Sequence, residues 1–177
     1  NGGDPQSFLK ELIDKVMRNK LIHVFLNAEI QDVSGYVGNF KTTIILKTSG
    51  EKRELEHGII IVATGGEEHQ PKEYLYGEDP RVITQLELEE RIASGDKKKF
   101  GNVVMIQCVG SRDNERPYCS RVCCQEAIKN ALRIKAVDPE ANVFILYRDV
   151  RTYGFMEEYY RKAREAGVIF IRYDEDN

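Results

Sequence analysis

Val103-Val-Met-Ile-Gln-Cys108 is an apolar run of strand length that ends in a cysteine. The stretch that follows it, Val109-Gly-Ser-Arg-Asp-Asn-Glu-Arg-Pro-Tyr-Cys-Ser-Arg-Val-Cys-Cys124, carries the three other cysteines of the 177-residue chain. Beyond the loop, Val122, Ala127, Ile128, Ala131, Leu132 and Ile134 recur at helical spacing. Asn142-Val-Phe-Ile-Leu-Tyr147 reads as a second strand, residues 155–166 as a helix stopped by Gly167, and Val168-Ile-Phe-Ile-Arg172 as a third strand. The pattern predicts β-α-β-α-β, the core of a Rossmann-like, doubly wound parallel sheet in the α/β class. The chain stops just after the third strand, and two or three further strands are expected to complete such a domain.

Upstream the periodicity changes. Asp4-Pro5 is a helix start, with a carboxylate to cap free amides and a proline in the first turn. Phe8, Leu9, Leu12, Ile13, Val16 and Met17 then form one apolar face, expected to lie on a sheet. Residues 23–63 read as strands. A glycine-rich turn is expected over 33–39, and residues 40–48 place Thr42, Ile44 and Leu46 on one face. Ser49-Gly50 makes a turn, and residues 52–56 a short polar strand, completing an antiparallel meander. His23 and His57 have no cysteine or histidine at ligand spacing and read as structural or solvated. Gly58-Ile-Ile-Ile-Val-Ala-Thr-Gly-Gly66 is a continuous apolar run, expected as a strand buried on both faces and ending in a turn where backbone approaches a ligand.

Residues 67–83, with Pro71 and Pro80, read as a linker. Thr84-Gln-Leu-Glu87 is a capping box opening a helix to about Ser94, with Gly95 as its stop. The charged connection 95–101, with its lysine run, reads as a solvated loop. The expected organisation is therefore 1–66 as a first partial domain of helix, meander and the strand ending in Ala-Thr-Gly, 67–100 as linker and helix, and 101–177 as a partial Rossmann-like domain carrying the cysteine loop.

Composition narrows the function. With 26 Lys and Arg against 29 Asp and Glu, the net charge is -3, and no basic stripe with interleaved aromatics points to nucleic acid. No apolar stretch is long enough for a membrane span, and no signal peptide opens the sequence. The expected compartment is the cytoplasm, where thiols stay reduced. That favours metal binding or redox chemistry over structural disulfides.

The first strand of a dinucleotide-binding half is normally followed by Gly-x-Gly-x-x-Gly. Here only Gly110 stands in that place, and the cysteine loop occupies it. The position still suits anions, because Cys123 and Cys124 open a helix whose positive end lowers thiolate pKa values. Arg112 and Arg121 add positive charge. The spacing Cys-x10-Cys-x3-Cys-Cys lacks the paired Cys-x2-Cys hooks of zinc sites. A four-iron cluster suits it better, since each thiolate takes a different iron. Reactive thiols at Cys123 and Cys124, zinc, and a nucleotide-binding module using Asp149 for ribose stay open as alternatives.

Several stretches resemble a known family: Cys108-Val-Gly-Ser-Arg, Pro117-Tyr-Cys-Ser-Arg-Val-Cys-Cys124, Leu146-Tyr-Arg-Asp-Val-Arg-Thr-Tyr-Gly154, Glu157-Glu-Tyr-Tyr-Arg-Lys-Ala-Arg164, Gly35-Tyr-Val-Gly-Asn39 and Ala63-Thr-Gly65. Together they are similar to the flavoprotein A subunit of heterodisulfide reductase. The resemblance implies a thioredoxin-reductase-like core that binds FAD, which makes 1–66 a partial FAD-binding domain, with Thr64 and Gly65 matching a flavin-contacting motif. It also implies a [4Fe-4S] cluster on Cys108, Cys119, Cys123 and Cys124, tuned by Arg112 and Arg121. Partner subunits and electron carriers are implied for disulfide reduction, with electron bifurcation at the flavin in complete complexes. The family's glycine-rich FAD phosphate loop, its C-terminal flavin segment and its ferredoxin-like clusters have no counterpart in these residues. The segment on its own is expected to bind FAD weakly or not at all and to be inactive.

Overall fold

The computed structural model describes residues 4–95 and 99–174. It divides into two compact units, residues 1–65 and 66–177.

In the first unit, helix α1 (Pro5–Arg18) is capped as expected: Asp4 accepts hydrogen bonds from the Gln6 and Ser7 amides at 3.2 and 3.1 Å. Its apolar face is open, because none of its residues is buried. The expected packing on a sheet is therefore absent, since no strand of this unit lies against that face closely enough to exclude water. Strands β1 (Ala28–Tyr36), β2 (Asn39–Leu46) and β3 (Lys52–His57) form the antiparallel meander. Thr42 and Ile44 are its buried residues, matching the alternation read from sequence. The first hairpin is tighter than expected. Tyr36 pairs with Asn39, so Val37-Gly38 is the whole loop, and β1 continues through Gly35 opposite Phe40. Gly35 makes this possible: its φ is +98°, and a Cβ there would collide with the Asn39 carbonyl. His57 is structural, bonded to Thr42 Oγ1 at 2.7 Å and stacked on Phe40.

Residues 58–66 do not form the expected buried strand. They run without ladder partners, apart from Gly58 O accepting from Gly38 N at 2.7 Å, and Ile61 is 86 % exposed. An apolar run becomes a buried strand only where neighbouring strands take its hydrogen bonds, and β3 pairs with β2 alone.

The second unit is built on the parallel sheet β4 (Asn102–Ile106), β5 (Asn142–Tyr147) and β6 (Ile169–Arg172), in that order. Helix α3 (Cys123–Val137) joins β4 to β5. A 3-10 turn (Gly154–Met156) and helix α4 (Glu157–Glu165) join β5 to β6. Met105, Val143, Ile145, Ala127, Ile128, Ala131, Ile134 and Ala163 make the core between sheet and helices. Val122, counted with the helix from sequence, is exposed and stands just before it.

Residues 67–95 belong to this unit as well. Helix α2 (Gln85–Ala93) opens on the expected capping box, with Glu87 N donating to Thr84 Oγ1 at 3.2 Å and Thr84 N to Glu87 Oε2 at 2.7 Å. It inserts Leu88 into the core, flanked by Ile83 and Ile92. The fully buried Asn130 of α3 donates to Gln85 O and Gln85 Oε1 at 3.0 and 2.9 Å, tying the two helices together. Part of the lysine loop, residues 96–98, lies outside the described residues. No helix among the described residues is long and apolar enough to cross a membrane.

Candidate cysteine centre

The site lies at the carboxyl edge of the parallel sheet, where loops follow the strand ends. Gln107 extends the β4 ladder by donating its N–H to Leu146 O at 2.9 Å. Cys108 then breaks it with φ +65°, a left-handed conformation unusual for a residue with a side chain. Gly110 and Arg112 share that conformation, so the chain coils tightly at once, closed by Ser111 N donating to Cys108 O at 3.1 Å. The loop is pinched by Arg112 N to Tyr118 O at 3.1 Å and by Asp113 Oδ1, which accepts from the Glu115 and Arg116 amides at 2.9 and 2.6 Å. Arg116 Nη1 returns to Gly110 O at 3.3 Å.

Cys119 lies in the outgoing arm, where its sulfur accepts from Arg121 N at 3.3 Å. Arg121 has φ +64°, which turns the chain into α3. Cys123 and Cys124 are the first two residues of that helix, and no side chain caps it. Free backbone N–H groups and the positive helix end therefore face the two thiols. Cys123 and Cys108 are half-buried, and Cys124 is 7 % exposed. Ser120 Oγ donates to Cys123 Sγ at 3.4 Å, and Cys124 Sγ donates to Asp149 O at 3.7 Å.

The vicinal thiols share a proton unequally. Hydrogen bonding from Cys124, with help from Ser120 and the Cys108 and Cys124 amides, pulls the Cys123 thiol down to about 5. The same bond, with burial, pushes the Cys124 thiol up. Burial and the neighbouring Cys123 charge also push Cys108 up, opposed by the Arg112 guanidinium hydrogen-bonded to it. Arg112 is fixed by an ion pair to Asp149 at 2.8 Å, and its carbonyl accepts from Arg148 Nη1 at 3.0 Å. Asp149, weighed from sequence as a ribose partner, is this arginine's counter-ion.

The structure thus brings Cys108, Cys123 and Cys124 into mutual electrostatic reach and sets Cys119 on the other arm of the same loop. Among the described residues no group of three or more His, Cys, Asp or Glu side chains is gathered closely enough to form a ready-made ion cage. The donor chemistry nevertheless fits a thiolate-held cluster. Four thiols on one stretch of chain are the donor type such a cluster takes, and Arg112 beside Cys108 has a buried Nη1 without an acceptor, ready for extra negative charge. Thr64 and Gly65 lie at the end of the first unit, both exposed, with Gly65 at φ +72°.

Sequence reading missed three contributors. His69 packs its ring in the space that a Cβ on Gly110 would occupy. Arg148 braces the loop through Arg112 O. Gln107 lies buried beneath Cys124. Only proximity to the cysteine motif could have flagged Gln107, and nothing local flags His69.

No family model matches the chain. Curated relatives do. It is 45 % identical over 140 residues to the A subunit of the H(2):CoB-CoM heterodisulfide,ferredoxin reductase of Methanothermobacter thermautotrophicus, a match covering 69 % of this chain and 21 % of the relative. It is 46 % identical over 140 residues to the iron-sulfur A subunit of the CoB--CoM heterodisulfide reductase of Methanocaldococcus jannaschii, with the same coverage. To the A subunit of the ferredoxin/F(420)H(2)-dependent CoB-CoM heterodisulfide reductase of Methanosarcina acetivorans it is 43 % identical over 141 residues, covering 69 % of this chain and 18 % of the relative. By this homology the chain belongs to the heterodisulfide reductase A-subunit family, and it spans about a fifth of the length of the relatives it matches.

Proposed function

We propose that this chain is the part of a heterodisulfide-reductase-like A subunit that holds a [4Fe-4S] cluster on Cys108, Cys119, Cys123 and Cys124. In the whole protein the cluster held by these cysteines would supply electron transfer between FAD and the reduction of a disulfide, with other reductase subunits and electron-carrier proteins as partners. The observation that carries the reading is the placement of all four cysteines on one loop between a strand end and an uncapped helix N-terminus. The relatives' names, one of which includes the words iron-sulfur, support it.

A bound cluster supplies one-electron transfer at thiolate-held iron. The chain's own residues do the rest. The amides opening α3 and the Arg112 guanidinium compensate negative charge on the sulfurs, while Asp149 and Arg148 hold Arg112 in place. Burial of Cys124 under the sheet edge keeps water from its sulfur. Thr64 and Gly65 are both exposed, with open space where a Cβ on Gly65 would stand, and are the proposed approach to the flavin.

Thiol titration before and after anaerobic reconstitution tests the assignment. Cys123 is expected to react in the iron-free chain and none of the four thiols in the loaded one; thiols that stay reactive at full iron loading overturn it. A second reading, a vicinal thiol pair in disulfide chemistry, draws on the low-lying Cys123 thiol beside a protonated Cys124. Rapid alkylation of Cys123 in iron-loaded protein is the result that favours it.

A further inference from the structure

Gln107 is the residue whose placement the iron–sulfur reading leaves unexplained. It is 2 % exposed, and its backbone is held on both sides: N–H donates to Leu146 O at 2.9 Å, and the carbonyl accepts from Tyr173 Oη at 2.6 Å. Its side chain turns toward the helices, as that of Met105 does two residues earlier, and its Nε2 has no hydrogen-bond partner. An orphaned buried amide of this kind carries its full desolvation cost with no hydrogen bond to offset it. Such a group is retained where a second state of the site satisfies it.

The space around Gln107 identifies the acceptor. Gln107, Cys124 and Tyr147 are the residues with polar or sulfur atoms lining a small internal cavity. The rest of its wall is apolar: Ile128, Ile145, Val150 and Phe170. Its volume, about 10 Å³, is at the lower limit for one water, which would also need two or more polar partners. As a neutral thiol, Cys124 has one proton, with Asp149 O at 3.7 Å and the Cys123 sulfur both in reach of it, and is a poor acceptor. Once deprotonated as a ligand, it loses that proton and becomes a strong acceptor inside an apolar cavity, with the free amide beside it.

We propose that Gln107 is a positioning residue of the cysteine centre, its Nε2–H the hydrogen-bond donor to the Cys124 thiolate when that sulfur is bound to iron. The inference rests on the iron–sulfur reading above. A donor to a ligand sulfur stabilises the more negative, reduced state more than the oxidised one, so Gln107 raises the reduction potential. It contacts no reacting group itself.

The test compares Gln107→Leu, Gln107→Met and Tyr147→Phe with the parent 177-residue chain after anaerobic reconstitution. Iron and sulfide per chain are measured together with the midpoint potential from a redox titration followed by electron paramagnetic resonance. Gln107→Leu is expected to keep its iron while its midpoint falls by about 59 mV, a tenfold change in a one-electron equilibrium. Gln107→Met, of nearly the same length, removes the donor and falls as far; it carries the test if the leucine variant does not fold. Tyr147→Phe is expected to leave the potential unchanged. An unchanged midpoint in iron-loaded Gln107→Leu or Gln107→Met overturns this inference alone, as does a shift in Tyr147→Phe matching that of Gln107→Leu. A parent chain that takes up no iron overturns the iron–sulfur reading and this inference with it.

Discussion

Arg112 of the cysteine loop and Asp149 at the end of β5 form an ion pair of 2.8 Å, so two of the loops at the sheet edge are clamped to each other. Arg148, next to Asp149, donates to Arg112 O at 3.0 Å and makes the clamp two-sided. The clamp sets Arg112 against Cys108, whose thiol it acidifies in opposition to burial.

Arg112→Leu is therefore expected to cost about 1 kcal/mol, since Asp149 is half-exposed and the ion pair is partly screened. Arg112→Lys keeps the charge but loses the planar fork, and should fall between parent and leucine variant. Thermal unfolding followed by circular dichroism checks both, with a drop of a few degrees for the leucine variant. A leucine variant as stable as the parent would show that the clamp does not hold the loop.

The Cys123 thiol gives a pH signature in the iron-free chain. A lowered pKa means the reactive thiolate is already populated where an ordinary cysteine, near 8.5, is protonated. Alkylation of Cys123 should thus rise with a midpoint at about 5 and level off by neutral pH, while Cys124 stays protected. Mass-spectrometric mapping of alkylation across pH reads this out. Equal labelling of the two at pH 7 contradicts the shared-proton arrangement.

Gly110 combines two constraints, a φ of +66° and the His69 ring in the space a Cβ would fill. Gly110→Ala is expected to destabilise by about 1–3 kcal/mol. His69→Ala alone should be mild. The double variant should recover the collision part of the loss and keep the backbone part, which a thermodynamic cycle on unfolding free energies separates.

Thr84→Ala removes one half of the capping box that starts α2, at an expected cost of about 1 kcal/mol. Because Leu88 of that helix is in the core, the loss should appear in the single unfolding transition of the second unit rather than as local fraying. Denaturant titration with two probes, one for helix and one for tyrosine packing, checks the coincidence.

Much of this was legible in the residues. The alternation of Thr42, Ile44 and Leu46, the Thr84–Glu87 box and the β-α-β-α-β rhythm from Val103 onward all express local periods and local hydrogen bonds, which neighbouring residues decide. The run Ile59-Ile-Ile-Val62 misled because apolar composition says nothing about whether a partner strand is beside it. The apolar face of α1 misled for the same reason. Within the site, the four cysteines announced themselves by type and spacing. Gln107 and His69 did not, since the burial of the one and the contact of the other arise from segments far apart in the chain.

The central claim is that Cys108, Cys119, Cys123 and Cys124 hold one cluster, and the direct measurement is iron and acid-labile sulfide in the anaerobically reconstituted chain and its four single Cys→Ser variants. Roughly four iron and four sulfide per chain are expected for the parent, falling in each of the four variants. A parent chain that binds neither iron nor sulfide, or a Cys119→Ser variant that keeps the full complement, would contradict the account.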